Sequence, residues 1–198
     1  MYPLFEAICL KNGELLNAFY HNKRILTALK AVYMSSKKYK IDEIIKIPSE
    51  LNEGTYKCRF MYSDAKYAYE FLPYLPMDVN FIKMETHNNI EYKHKFTERK
   101  ELDVLREDTK YDDVLIVKRG LITDTTRANI VFNMDNKWVT PDKPMLRGTQ
   151  REKLLEEGTI TKMEIKESDL HRFKSFKVIN AMCPFETQPE IPITNIIV

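Results

Sequence analysis

The stretch GLITDTTRANIVF, residues 120–132, constrains the fold most, because two runs typical of strands enclose a centre that is almost wholly polar. The polar residues of this centre are Thr123, Asp124, Thr125, Thr126, Arg127 and Asn129. Polar groups that are buried cost free energy unless something pairs with them. The sequence therefore leaves two interpretations: the stretch is a solvated loop, or it belongs to a sheet and meets a ligand.

The rest of the chain predicts a mixture of strands and helices. Apolar runs and alternating patterns predict strands at 5–10, 55–63, 66–74, 90–96, 113–120, 128–132, 137–141 and 176–186. Helical spacing predicts helices at 21–36, 41–48, 97–108, 151–158 and 167–173, with Thr97 as an N-cap. Because strands and helices alternate without strict β-α-β order, we expect an α+β fold with mixed sheets.

The segment PYLPMD, residues 73–78, carries two prolines and is the best candidate for a linker. A chain of 198 residues suits one large domain or two small ones. We therefore predict a small N-terminal α/β domain in residues 1–72 and a larger C-terminal domain in residues 79–198.

Composition argues against several classes of partner. Lys and Arg number 31 against 29 Asp and Glu, so the net charge of +2 gives no reason to expect nucleic acid or an anionic membrane. The three cysteines form no C-x-x-C pair and the four histidines show no metal spacing, so no metal site is expected. No signal peptide and no apolar stretch of about 20 residues is found. A soluble cytoplasmic protein is therefore expected.

A glycine directly before a predicted helix, in LRGTQREKLL (146–155), is a possible anion site. The N–H groups and the dipole of a helix start bind phosphate. Every helix start has these groups, so Thr149 is equally well an ordinary N-cap. Lys93, Lys95 and Lys100 crowd each other, which would help one of them to lose its proton. Composition does not choose among these three lysines.

Seven segments occur in an order that is typical of one family: FEAI, HNKR, KFTER, VLIVKRGLITDTTRANIVF, WVTPDKPMLRGTQREKLL, SDL and INAMCPFE. The chain resembles the class IV aminotransferase family, the fold-type IV enzymes that use pyridoxal 5′-phosphate. That family includes branched-chain and D-amino-acid aminotransferases and 4-amino-4-deoxychorismate lyase. The resemblance covers nearly the whole chain, and residues 114–155 are its specific part. It implies a D-amino-acid-aminotransferase-like architecture, an amino-acid-like substrate and a homodimer.

The resemblance also implies roles for individual residues. Lys95 matches the lysine that forms the internal aldimine with the cofactor and then moves protons. Arg24 matches the arginine that holds the cofactor phosphate. The turn whose backbone N–H groups bind the same phosphate corresponds to Gly148, Thr149 and Gln150. Asp124 stands where the family usually has a glutamate facing the pyridine nitrogen, which such a carboxylate keeps protonated.

The sequence departs from the family pattern at several places. Asp124 is one methylene shorter than glutamate, Lys100 stands where aminotransferases often have tyrosine, and Ala181 lies near a position where they often have a phosphate-binding threonine. The chain also begins almost at FEAI, whereas longer members carry further residues that shape the substrate side.

INAMCP resembles the Asn-Ala-x-x-Pro stretch of the lyases more than the Gly-Thr stretch of branched-chain enzymes. This resemblance favours a lyase that converts 4-amino-4-deoxychorismate to 4-aminobenzoate and pyruvate, by way of the lysine aldimine and abstraction of the α-proton. Two alternatives stay open. One is an aminotransferase for branched-chain or D-amino acids, and the other is a non-catalytic relative that keeps the fold.

Overall fold

The computed structural model describes residues 3–198, apart from the side chain of Asp108, and the chain divides into two compact units. The N-terminal unit contains the chain up to Pro76 together with His94–Glu98. The C-terminal unit contains Met77–Lys93 and Arg99–Val198. Residues 94–98, which the sequence-based division put in the larger domain, thus group with the smaller unit, and that division stays a prediction.

The N-terminal unit is an antiparallel sheet of four strands with a helix packed on it. Its elements are β1 (Leu4–Lys11), β2 (Glu14–Leu15), α1 (Ala18–Tyr33), α2 (Ile41–Ile44), β3 (Thr55–Tyr62) and β4 (Tyr67–Pro73). The strand order is β2-β1-β3-β4. Ile25, Ala28 and Leu29 recur at helical spacing on α1, and this face is buried in one cluster with Ile8 and Phe60 of the sheet.

The C-terminal unit contains two sheets, two α-helices and three short 3₁₀ helices, which are Glu167–Arg172 at the predicted helix 167–173, Phe185–Thr187 and Ile193–Asn195. Its elements are β5 (Ile82–Thr86), α3 (Lys100–Asp108), β6 (Asp113–Lys118), β7 (Leu121–Thr125), β8 (Asn129–Met134), β9 (Lys137–Pro141), α4 (Thr149–Glu156), β10 (Ile160–Met163), β11 (Ser175–Ile179), β12 (Ile191–Pro192) and β13 (Ile196–Ile197). One sheet has the order β10-β9-β8-β11-β12 and the other β13-β5-β6-β7. Both sheets combine parallel and antiparallel pairs, which confirms the predicted α+β class with mixed sheets.

Three local predictions are wrong. Residues 90–96 form no strand: Ile90 and Tyr92 are buried, as the alternation indicated, but the segment makes only an isolated bridge from Phe96 to Leu4. Thr97 caps no helix, because its N–H and its hydroxyl both donate to the Pro3 carbonyl, and α3 begins only at Lys100. The strand predicted at 176–186 ends at Ile179, where the chain turns.

No helix within residues 3–198 has both the length and the apolar character that a membrane crossing requires.

Candidate active site

The polar centre of residues 120–132 is buried apart from Arg127, and it runs from the end strand of one sheet into a strand of the other, so the solvated-loop interpretation is wrong. Residues 121–125 form β7 and β8 starts at Asn129. The Thr123 hydroxyl donates to the Ile116 carbonyl at 2.7 Å, and the Thr126 hydroxyl donates to Asp113 Oδ1 at 2.5 Å. These hydroxyls therefore have partners within the protein, which offsets the cost of their burial.

Asp124 is a buried carboxylate, with 4 % of its surface exposed. Within residues 3–198 it forms no salt bridge. Its Oδ1 accepts a hydrogen bond from Asn129 Nδ2 at 2.7 Å, and its Oδ2 accepts one from the Leu146 N–H at 2.8 Å. Burial raises the pKa of Asp124 to about 6, although the hydrogen bonds from Leu146 and Asn129 act in the opposite direction. A cation beside Asp124 would relieve this cost, since an opposite charge favours the ionised form.

Asn129 joins Asp124 to the turn that precedes α4. Its Nδ2 donates both to Asp124 and, at 2.9 Å, to the Leu146 carbonyl. Its Oδ1 lies so close to Gly148 that a Cβ on that glycine would collide with it. In the C-terminal unit the side chain of one asparagine thus lies next to both the predicted partner of the ring nitrogen, Asp124, and the predicted phosphate turn at Gly148.

The start of α4 fits an anion better than it fits an ordinary cap. Gly148 is the N-cap and Thr149 the first helical residue, so the interpretation of Thr149 as an N-cap is wrong. The Thr149 hydroxyl is buried and has no hydrogen-bond partner within residues 3–198, which is rare for a buried polar atom. Gln150 is buried beside it. This hydroxyl and the N–H groups of the first turn suit a phosphate.

Arg151 attaches α4 to β9. The sequence analysis assigned this residue no role. Its side chain is almost fully buried, with Nη2 donating to the Pro141 carbonyl at 2.7 Å and Nε to Thr140 Oγ1 at 3.3 Å. Nη1 donates to Glu152 Oε1 at 2.8 Å. Because these contacts join the helix to the end of β9, they fix the position of the first turn of α4.

In the N-terminal unit, Arg24 is held by a carboxylate that the sequence analysis also missed. Glu6, in the middle of β1, is fully buried and accepts hydrogen bonds from Arg24 Nε at 3.0 Å and 3.1 Å and from Arg24 Nη2. His21 Nδ1 lies 2.5 Å from Glu6 Oε2. A charged residue in an otherwise apolar strand, followed by HNKR, is the signal that could have revealed this cluster.

Lys95 belongs to the same unit as this cluster. Its carbonyl accepts a hydrogen bond from the Phe5 N–H at 3.0 Å, and its Nζ lies 4.8 Å from the centroid of the Phe5 ring. Burial is the main reason why the pKa of His21 is lowered, and the positive charges of Arg24 and Lys95 contribute to the same shift. Lys95 therefore lies close enough to His21 for its charge to affect the pKa of that ring.

Each unit, taken by itself, provides groups that suit part of pyridoxal 5′-phosphate. The C-terminal unit provides a buried, unpartnered hydroxyl at a helix start and a buried carboxylate suited to a cation. The N-terminal unit provides an arginine with 14 % of its side chain exposed and a half-buried lysine. These are the groups that a phosphate, a protonated ring nitrogen and an aldehyde would require.

Comparisons with known proteins agree with this chemistry. The sequence profile described as "Amino-transferase class IV" matches residues 3–196. An uncharacterised protein of Haemophilus influenzae is 34% identical over 185 residues, covering 92% of this chain and 98% of that protein.

Two solved structures are similar to the chain over most of its length. One, from Haemophilus somnus and provisionally named a 4-amino-4-deoxychorismate lyase, is 33% identical with a TM-score of 0.87, covering 93% of this chain and 98% of that one. The other, a hypothetical aminotransferase of Mycobacterium tuberculosis in its PLP-bound form, is 17% identical with a TM-score of 0.77, covering 96% of this chain and 80% of that one. The chain belongs to the class IV aminotransferase family and is a pyridoxal-phosphate-dependent enzyme with the fold-type IV architecture.

Proposed function

We propose that the protein is a lyase that converts 4-amino-4-deoxychorismate to 4-aminobenzoate and pyruvate. The two products together contain all the atoms of the substrate, so the reaction consumes no second substrate. An aminotransferase, by contrast, needs a keto acid to accept the amino group. This difference makes the two branches of the family distinguishable by experiment.

The observation that carries the choice of branch is the turn that follows β11. It is closed by hydrogen bonds from the Asn180 N–H to the Cys183 carbonyl at 3.2 Å and from the Cys183 N–H to the Asn180 carbonyl at 3.0 Å. Asn180 Nδ2 donates to the Arg127 carbonyl at 3.3 Å, which joins the turn to the short connection between β8 and β7, the strand that carries Asp124. Ala181 adds no hydroxyl to this turn. The similarity to the Haemophilus somnus protein supports the same branch.

We assign the roles within this reaction as follows. Bound pyridoxal phosphate supplies an electron sink that acidifies the α-carbon of an amino acid. Lys95 Nζ would hold the cofactor and would take up the α-proton of the substrate. Asp124 keeps the ring nitrogen protonated by placing a negative charge beside it. Arg24, the Thr149 hydroxyl and the backbone N–H groups of residues 148–150 hold the phosphate.

The small-molecule substrate and the homodimer implied by the family belong to the same proposal. Sedimentation of the purified protein tests the dimer, and a mass equal to the 23.5 kDa of one chain would contradict it.

Lys95 is tested by adding pyridoxal phosphate to the purified protein and recording the absorbance before and after borohydride. We expect a visible band that borohydride abolishes while it attaches the cofactor to the peptide containing Lys95. Lys95→Ala should give neither result and no turnover. Lys93→Ala is the matched control, because the Lys93 side chain is 79 % exposed and pairs with Glu91. Full activity of Lys95→Ala would refute the mechanism.

The branch is tested by giving the holoenzyme 4-amino-4-deoxychorismate alone and measuring 4-aminobenzoate and pyruvate. Formation of both in equal amounts supports the lyase. If only pairs of amino acid and keto acid react, the aminotransferase alternative replaces it. If no substrate of either kind reacts although the cofactor binds, the protein is the non-catalytic relative.

A further inference from the structure

Glu6 and His21 form a buried support for the side chain of Arg24. The carboxylate of Glu6 stands on β1, whereas His21 and Arg24 stand one turn apart on α1. Both residues of the helix reach the same carboxylate oxygen, Oε2, and Arg24 Nε also reaches Oε1. Both Glu6 and His21 are fully buried, so neither can contact bulk solvent.

The protonation states of Glu6 and His21 follow from their surroundings. Burial alone would raise the pKa of Glu6, but the Arg24 charge and the hydrogen bond from His21 outweigh it and hold the pKa at about 2. Burial lowers the pKa of His21, so its ring is neutral at pH 7. A neutral ring facing an ionised carboxylate through Nδ1 must carry its proton on that nitrogen, because a carboxylate only accepts. His21 therefore donates to Glu6 and does not bear a charge.

This arrangement restrains the guanidinium of Arg24 through one of its edges. Glu6 accepts from Nε and Nη2, two of the three guanidinium nitrogens. The carboxylate is itself restrained by His21, so rotation of Glu6 would break bonds with two residues. An arginine side chain otherwise loses rotamer entropy when it binds a ligand. Restraining it before the ligand arrives reduces that cost.

We propose that Glu6 and His21 are positioning residues that fix Arg24 for the phosphate of the cofactor. This inference rests on the proposed role of Arg24. It assigns a function to two buried polar residues that the proposed reaction does not otherwise use. His21 acts on the phosphate only through Glu6, and Glu6 acts only through Arg24.

The alternative explanation for Glu6 is charge balance, and it predicts the opposite effect on phosphate. If Glu6 only neutralised Arg24, removing its charge would leave the arginine more positive and would strengthen phosphate binding. If Glu6 positions Arg24, the same removal weakens binding. Glu6→Asp separates the two effects further, since it keeps the charge but withdraws the carboxylate by one methylene.

His21 offers a pair of variants that preserve or remove one hydrogen bond. The side-chain amide of His21→Asn can still donate to Glu6, as His Nδ1 does. His21→Leu fills a similar volume but donates nothing. Comparing the two separates the hydrogen bond from the packing of the ring.

The experiment is a titration of each apoprotein with pyridoxal phosphate and, separately, with pyridoxal, which lacks the phosphate. Glu6→Asp, Glu6→Gln and His21→Leu should each weaken pyridoxal phosphate binding roughly tenfold or more, the effect of losing a hydrogen bond to a charged group. His21→Asn should bind close to normally. Affinity for pyridoxal should change little in all four, which separates a positioning role from general damage to the fold.

Arg24→Ala makes the failure of the inference distinguishable from the failure of the proposed function. If Arg24→Ala leaves the affinity for pyridoxal phosphate unchanged, Arg24 does not hold the phosphate and the proposed role falls. If Arg24→Ala weakens binding but His21→Leu and Glu6→Asp do not, the inference alone is refuted. Tighter binding by Glu6→Gln, or equal losses for pyridoxal and pyridoxal phosphate, would also refute it.

Discussion

Replacing Gly148 with alanine should destabilise the protein, although the glycine backbone suits any residue. Gly148 has φ −69° and ψ 144°, so alanine would adopt the same conformation without strain. The three atoms nearest to an added Cβ all belong to the Asn129 side chain, and Oδ1 is close enough to collide. To make room, Asn129 must move away from the Asp124 carboxylate, to which its Nδ2 donates at 2.7 Å.

The magnitude follows from these two effects. Overpacking a well-packed site costs about 1–3 kcal/mol, and a hydrogen bond to a charged group contributes about 1.5–3 kcal/mol. We expect Gly148→Ala to lower the free energy of unfolding by roughly 2–5 kcal/mol, a large part of the ~5–15 kcal/mol of a native protein. Urea unfolding of the apoprotein measures it without any contribution from the cofactor.

The same substitution in an Asn129→Ala background is the decisive control. Once the asparagine side chain is absent, the added methyl meets none of its three nearest neighbours. It should then stabilise the protein by about 0.4–1 kcal/mol, because alanine restricts the unfolded chain more than glycine does. The sign of the effect should therefore reverse between the two backgrounds. Equal destabilisation in both would refute the reasoning.

Two further predictions concern pH. The pKa of Asp124 lies near 6 against an ordinary 3.8. Between these two pH values the native apoprotein holds a proton that the unfolded chain has released. The free energy of unfolding should therefore fall by about 3 kcal/mol as pH rises from 3.8 to 6. Asp124→Asn should remove this part of the pH dependence in urea titrations, and an unchanged profile would contradict the shift. The pKa of Glu6 lies at about 2 against 4.5, so its contribution of about 3 kcal/mol is complete above pH 4.5 and lost as pH falls to 2. The acid limb of the wild-type profile should be steeper than that of Glu6→Gln, and equal limbs would argue against an ionised Glu6.

Local patterns in the sequence predicted most of the strands, and their failures have physical causes. Residues 55–63 and 66–74 alternate around a short turn, and they pair as β3 and β4 because neighbours in sequence meet readily. Residues 90–96 alternate equally well, and the burial of Ile90 and Tyr92 follows the alternation. A strand also requires a partner for its backbone groups, and alternation carries no information about that partner.

The candidate site was predictable where a residue's role depends on a local motif. Gly148 and Thr149 precede and begin a helix, as the sequence indicated. Asn129, Glu6 and His21 were not assigned roles, because their partners lie 5–18 residues away and are brought close only by folding. A buried charge in an apolar strand shows that a partner exists but does not say which residue it is.

The path of the chain through the two units has a consequence for modularity. The chain changes unit after Pro76, after Lys93 and after Glu98, and the short piece between the last two carries Lys95. A gene fragment ending at the proline-rich segment would encode the first sheet without residues 94–98, although Phe5 and Thr97 form backbone hydrogen bonds that join this piece to the start of the chain. The two units therefore cannot be exchanged between relatives by a single crossover, and recombination that keeps the lysine with its own sheet needs three junctions.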